Sequence, residues 1–203
     1  MAESFTRILD KSEGFFKDRG SKFLSFAFPL EDESDIEEHL TSVKKRFFDA
    51  RHHCYAYRIG WKGEKFYMTD DGEPSHSAGT PILNSIRSHK LTNVLIIVVR
   101  YFGGTKLGIR GLINAYQASA NDAITNSLVE QIVPKVIFTL SYPYEQTSIV
   151  NRVLHKQKLK QVEAHYTDTC QITYAIESHL FPPLQKNIEK NLINLEVIGT
   201  SYY

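Results

Sequence analysis

The chain has 203 residues, with 24 Lys+Arg against 23 Asp+Glu and a formal net charge of +1. Hydrophobic residues make up 42% and charged residues 23%, the usage of ordinary globular chains. These values exclude a disordered tail, a collagen-like repeat, and an arm that holds nucleic acid by overall charge.

Two cysteines, Cys54 and Cys170, form neither a disulfide framework nor a CxxC motif. The first ten residues lack the basic start and apolar run of a signal peptide, and the longest apolar stretch, Val94 to Val99, is far too short to span a bilayer. The chain therefore reads as reduced, soluble and cytoplasmic, with no membrane partner. Its charge is unevenly placed. Glu31 to Glu38 is an acidic block, whereas Pro74 to Asn121 contains no acid and five bases, Arg87, Lys90, Arg100, Lys106 and Arg110.

In chain order, Phe15–Lys17 and Lys22–Leu30 read as a strand pair about the turn-forming Asp18-Arg19-Gly20-Ser21. Ser34 followed by Glu37 has the form of a capping box, and Ile36, Leu40, Val43 and Phe47 then give one apolar helical face. His52–Ile59 and Glu64–Thr69 read as a hairpin. A polar loop, Asp70 to Gly79, leads to Thr80-Pro81, which suits an N-cap and first helical residue for a helix to about His89. Asn93–Tyr101 is apolar up to Arg100, as a central strand covered on both faces should be. A glycine-rich loop from Phe102 to Gly111 and a helix to about Leu128 follow.

Beyond Val133-Pro134 the order changes. Val136–Tyr142, Lys160–Asp168, Cys170–Ser178 and Ile193–Thr200 read as strands, and Tyr144–Leu159 and Phe181–Leu192 as helices. That βαββαβ order predicts a ferredoxin-like domain over residues 134–203, after a first domain over 1–133. The fold class is α+β.

Three segments carry candidate chemistry. In Arg51-His52-His53-Cys54-Tyr55-Ala56-Tyr57, strand alternation sends His52, Cys54 and Ala56 one way and His53, Tyr55 and Tyr57 the other. His52 and Cys54, completed by Asp70, Asp71, Glu73 or His76, offer donors of the type zinc accepts. The spacing matches no compact metal motif, and a strand cysteine is ordinarily a small buried hydrophobe; no metal or other cofactor is expected. The loop Asp70-Asp71-Gly72-Glu73-Pro74-Ser75-His76 has paired carboxylates that can divide into acid and base, or simply order a turn.

Arg100-Tyr101-Phe102-Gly103-Gly104-Thr105-Lys106-Leu107-Gly108-Ile109-Arg110-Gly111 joins a buried strand to a helix N-terminus, where free amides and the dipole favour anions. It is neither a Walker A loop nor a Rossmann fingerprint. Arg100, Lys106 and Arg110 add positive charge, and Gly103, Gly104, Gly108 and Gly111 permit close approach of a ligand. A second helix opening at Thr80-Pro81 would place two N-termini beside one sheet.

Taken together, these segments resemble the YigZ/Impact family. The resemblance is carried by Lys22-Phe23, Arg51 to Tyr57, Asp70 to Ser75 with Ala78-Gly79 and Pro81-Ile82-Leu83, Arg100 to Gly104 with Lys106-Leu107-Gly108, Gly111-Leu112 and Ala115-Tyr116. It implies a first domain of the ribosomal protein S5 domain 2-like fold, an α/β sandwich, and a last domain similar to domain V of elongation factor G. It also implies a link to control of translation initiation, through a regulator of an initiation-factor kinase in eukaryotic relatives. Those relatives carry an additional RWD domain absent from this sequence. His76 stands where the family usually has glycine, and Asn114 where a basic residue is common.

The leading expectation is a non-catalytic binding module contacting RNA, the ribosome or a translation-factor surface. Arg100, Lys106 and Arg110 would neutralise phosphates, glycine amides would bind an oxygen, and Tyr101 or Phe102 would stack a base. The alternatives are a hydrolase using His52, His53, Asp71, Glu73 and His76, with or without a metal, and a protein-interaction regulator. Oligomeric state is open.

Overall fold

The computed structural model describes residues 4–60, 62–155 and 157–201. They form two compact units, one over Phe5–Gln131 and a second from Ile132 onward. The first unit contains β1 (Phe5–Ile8), β2 (Ser12–Asp18), β3 (Ser21–Pro29), α1 (Asp35–Arg46), β4 (His52–Ile59), β5 (Lys65–Thr69), α2 (Gly79–Ser88), β6 (Val94–Tyr101), α3 (Gly108–Thr125) and β7 (Val129–Ile132). Five strands make one sheet in the order β2-β3-β6-β4-β5, every neighbour antiparallel, while β1 pairs with β7 separately.

The apolar run of β6 follows from its central place. Val94, Ile96 and Val98 face a core closed by Ile82, Leu83 and Ile86 of α2 and Leu112, Ala115 and Tyr116 of α3. Leu95, Ile97 and Val99 face the opposite core, closed by Ile36, Leu40 and Val43 of α1. The β2–β3 turn has φ of 43° at Arg19 and 80° at Gly20, the pair of positive angles that suits a tight hairpin to strand twist.

Helix starts depart from the sequence expectation. Ser34 makes no side-chain cap to α1; its Oγ hydroxyl donates to Asp32, and Asp35 Oδ2 accepts the amides of Glu31 and Asp32. The carboxylates of Asp32 and Asp35 instead order the turn before α1, accepting the amides of Glu31, Asp32 and Ser34, all of which precede the helix. Thr80 is inside α2, which opens at Gly79 with its amides held by the distant Asp70. Strands β1 and β7, four residues each, carry too little alternation to be read from sequence.

The second unit runs β8 (Lys135–Tyr142), α4 (Thr147–Leu154), β9 (Lys160–Tyr166), β10 (Cys170–Glu177), α5 (Phe181–Lys190) and β11 (Asn194–Ser201). Its sheet order is β11-β8-β10-β9, all antiparallel, the arrangement of a ferredoxin-like βαββαβ domain. Phe138, Leu140, Ile172 and Ile176 form its core with Val150 and Val153 of α4 and Leu184 and Ile188 of α5. Helix α4 is shorter than its apolar pattern suggests, because His155 adopts ψ of 133° and leaves the helical region. The architecture is α+β, as the sequence pattern indicates. Among the described residues, no helix is long and apolar enough to cross a membrane.

Candidate functional site

The chemistry-bearing segments meet where β4 begins and β6 ends, with His52 directly opposite Arg100. Alternation along β4 behaves as expected: Cys54 and Ala56 enter the α2/α3 core, and Tyr55 and Tyr57 pack on the α1 side. His52 and His53 therefore diverge. The His52 Nδ1–H donates to Asp71 O at 2.8 Å, which leaves Nε2 as an acceptor. His53 is buried, donates from Nε2 to Phe47 O at 3.1 Å, and has its pKa lowered by that burial.

The acidic loop is tied down by its own backbone and its neighbours. Asp70 Oδ1 accepts the amides of Ala78 (2.9 Å) and Gly79 (2.8 Å), and Oδ2 accepts that of His76 (2.8 Å). A carboxylate thus closes the N-terminus of α2, where helix dipole and free amides both favour negative charge. Asp71 Oδ2 accepts the amide of His53 at 2.6 Å. The joint positive face expected from two open helix N-termini does not form, because this one is occupied. His76, at φ of 63°, places Nδ1 3.1 Å from Thr80 Oγ1.

Arg100 departs most from expectation. Read as one of three cations presented to phosphate, its side chain is only 7% exposed, and Nη1 donates to Glu73 Oε1 at 2.6 Å. Its face of β6 also carries Phe23 across the sheet, so the guanidinium enters low dielectric and needs a counter-charge. Glu73 Oε1 also accepts the Tyr116 hydroxyl at 2.8 Å. Of the proposed hydrolytic set, Glu73 is committed to this pair and Asp71 to backbone, while His53 faces the other side of the sheet.

Cys54 Sγ lies 3.0 Å from Asp70 O and 3.3 Å from the Tyr116 hydroxyl oxygen. Burial pushes its thiol pKa far upward, which keeps the sulfur protonated and a poor nucleophile. Among the described residues, no group of three or more His, Cys, Asp or Glu stands in metal-holding geometry. Both Cys54 and Cys170 are buried. Native protein mixed with an aromatic disulfide reagent at neutral pH should release no chromophore over minutes, and both thiols should react once denaturant is added. Rapid native reaction of Cys54 would show that its pocket opens.

The glycine loop has two parts with different physics. Gly103 is pressed on the β2–β3 turn: its amide donates to Ser21 Oγ at 3.1 Å, and a Cβ there would lie 1.8 Å from the Gly20 carbonyl carbon. Gly104 (φ 88°) and Gly108 (φ 73°) instead have nothing within 4 Å of a would-be Cβ. They lead into α3, which has no side-chain N-cap and no acid in its first turn. Lys106 and Arg110 are exposed beside it. Gly111, inside α3, is half-buried.

Between the start of β4 and the end of β6 lies a cavity of about 380 Å³ lined by Asp49, Arg51, His52, Arg100, Tyr101 and Phe102. The Tyr101 hydroxyl donates to Asp49 Oδ1 at 2.6 Å, and this bond to the carboxylate pushes the phenol up to about 12. Asp49 and Arg51 were not among the candidate site residues. Asp49 lies outside every motif, and Arg51 opens one whose histidines and cysteine draw attention first.

A two-domain α+β protein with an open helix N-terminus and a half-polar cavity at one sheet end is what these features define. Residues 19–124 match the Impact N-terminal domain, and the chain belongs to the Impact family. It is 29% identical to the IMPACT family member YvyE of Bacillus subtilis over 87% of this chain and 82% of that protein. It is 34% identical to an IMPACT family member of Thermus thermophilus over 71% of this chain and 78% of the relative. A crystal structure described as that of a hypothetical protein shares the fold, with a TM-score of 0.62 and 23% identity over 98% of both chains.

Proposed function

We propose that this protein is a translation-associated, cytoplasmic binding module that contacts RNA through the loop Phe102–Gly111 and the start of α3. The observation that carries this reading is the N-terminus of α3, left without a side-chain cap or a first-turn acid and flanked by the exposed cations Lys106 and Arg110. Nothing lies within 4 Å of a would-be Cβ at Gly104 or Gly108, so a phosphate oxygen reaches the backbone there without side-chain obstruction, and the two cations neutralise adjacent phosphates. Arg100 takes no part in that neutralisation; it shapes the floor beside the loop. The near-zero net charge fits a contact made locally, with orientation set by one loop.

Salt dependence tests it. Single-stranded RNA should bind with log affinity falling linearly in log salt, and Lys106→Ala/Arg110→Ala should lessen that slope by about 1.4, for two phosphates at about 0.7 each. Folding, checked by circular dichroism, should be unaffected, because both side chains are exposed. An affinity and slope identical to those of the parent protein would remove the loop from the interface.

A further inference from the structure

We propose that the cavity between the start of β4 and the end of β6 receives a single unpaired guanine base of the bound RNA, an inference that rests on the RNA-binding reading above. Its volume, about 380 Å³, is in the range of pockets that enclose a small molecule, and too small for a duplex. Phe102, 57% exposed, lines it and offers a ring on which a flat heterocycle stacks.

The charge balance argues against an isolated phosphate as occupant. Arg51 is opposed within the lining by Asp49, and Arg100 is neutralised from behind by Glu73. With Nδ1 donating to Asp71 O, the neutral His52 ring presents Nε2 as an acceptor. A dianion gains little there, whereas a neutral ring with donors on one edge and acceptors on the other gains from both kinds of partner.

Arg100 supplies the independent sign that a polar ligand belongs in this place. Its side chain is 7% exposed, and the guanidinium lies 5.5 Å from the Phe23 ring centre and 5.6 Å from that of Phe102. Only Nη1 is engaged, by Glu73, and the buried Nε–H has no partner among the described residues. Buried donors are ordinarily satisfied, so a guanidinium with unmet donor capacity at a cavity wall calls for an acceptor.

Guanine is the base that matches. Its O6 and N7 are adjacent acceptors for a guanidinium, and N1–H and the N2 amino group are adjacent donors for a carboxylate. Arg51 or Arg100 would take the first edge and Asp49, with the His52 Nε2 acceptor, the second. Adenine, cytosine and uracil each lack the adjacent donor pair.

The test uses the full chain and two labelled octaribonucleotides at fixed low salt, oligouridine and the same strand with one central guanosine. The guanosine strand should bind about tenfold tighter, within the discrimination a bidentate contact provides. Asp49→Asn should bring the ratio of the two affinities near one; because both strands are compared on the same variant, partial loss of folded protein cancels. A parent ratio near one, or a ratio unmoved by Asp49→Asn, overturns the guanine pocket while leaving loop-mediated RNA binding intact. If neither strand binds, the RNA reading fails, and guanosine monophosphate is titrated alone. Binding of that nucleotide that Asp49→Asn weakens keeps the base specificity and overturns RNA as its carrier; no binding overturns both.

Discussion

Replacing Glu73 by Ala is expected to lower the stability of the N-terminal unit by about 3–5 kcal/mol, the cost of leaving one member of a buried ion pair alone. The side chains of Glu73 and Arg100 are 4% and 7% exposed, so solvent does little to screen the orphaned guanidinium. The same substitution strips the Tyr116 hydroxyl of its acceptor. Since both bonds end on Glu73 Oε1, the losses should not add: Glu73→Ala combined with Tyr116→Phe should cost less than the sum of the single variants. Replacing Glu73 and Arg100 together by apolar residues of similar volume should recover much of the loss, because the penalty belongs to the unpaired charge more than to the missing pair. Urea denaturation followed by circular dichroism measures each step, and where two transitions resolve, only one should move. A Glu73→Ala loss below about 1 kcal/mol, the range of exposed pairs, would mean that water reaches the guanidinium.

This pair also marks where sequence reading stops. Arg100 ends an apolar run and opens a glycine-rich loop, so beside Lys106 and Arg110 it reads as a presented cation. Its true partner lies 27 positions earlier, in a different loop, and only the sheet register brings them together. Lys106 and Arg110 come out exposed, as short-range pattern suggests, while Leu107 between them packs on the α2/α3 core. The cavity was equally hidden. Asp49 precedes β4 and Phe102 follows β6, so no spacing rule links them, and it takes adjacency of those two strands to make them neighbours.

Faces, turns and element order were legible because their causes are local. Alternation in His52–Ile59 assigns each side chain to one core or the other, and the Arg19-Gly20 turn needs only its own dihedral freedom. The ferredoxin-like order follows from strand and helix periods within residues 135–201. Helix starts were less legible, since a cap can come from outside the local segment. Ser34 has the right neighbours for a capping box but turns its hydroxyl back to Asp32, and Thr80 loses the N-cap role to Asp70.

Asp70→Ala should accordingly lower stability by about 2–4 kcal/mol, more than an ordinary N-cap replacement, because three amides lose a charged acceptor at once. Two of the three belong to Ala78 and Gly79, which are buried and have no direct route to water. Asp70→Asn keeps an acceptor for that pair but loses the charge that opposes the helix dipole and faces the His76 amide, so about half the loss is expected. Amide hydrogen exchange separates a capping role from a general weakening: residues 76–82 should lose protection first, ahead of β6, which lies at the centre of the sheet. Uniform loss of protection, or a stability change within the few tenths expected at an uninvolved surface site, would show that α2 is held by its core contacts alone. The consequence reaches the binding surface. With Asp70 in place the amides opening α2 are spent, and the first turn of α3 is the helix end left open beside Lys106 and Arg110. Because the amides it leaves behind are buried, removing the carboxylate should open no second anion site, and anion affinity should be unchanged in Asp70→Ala wherever the variant remains folded.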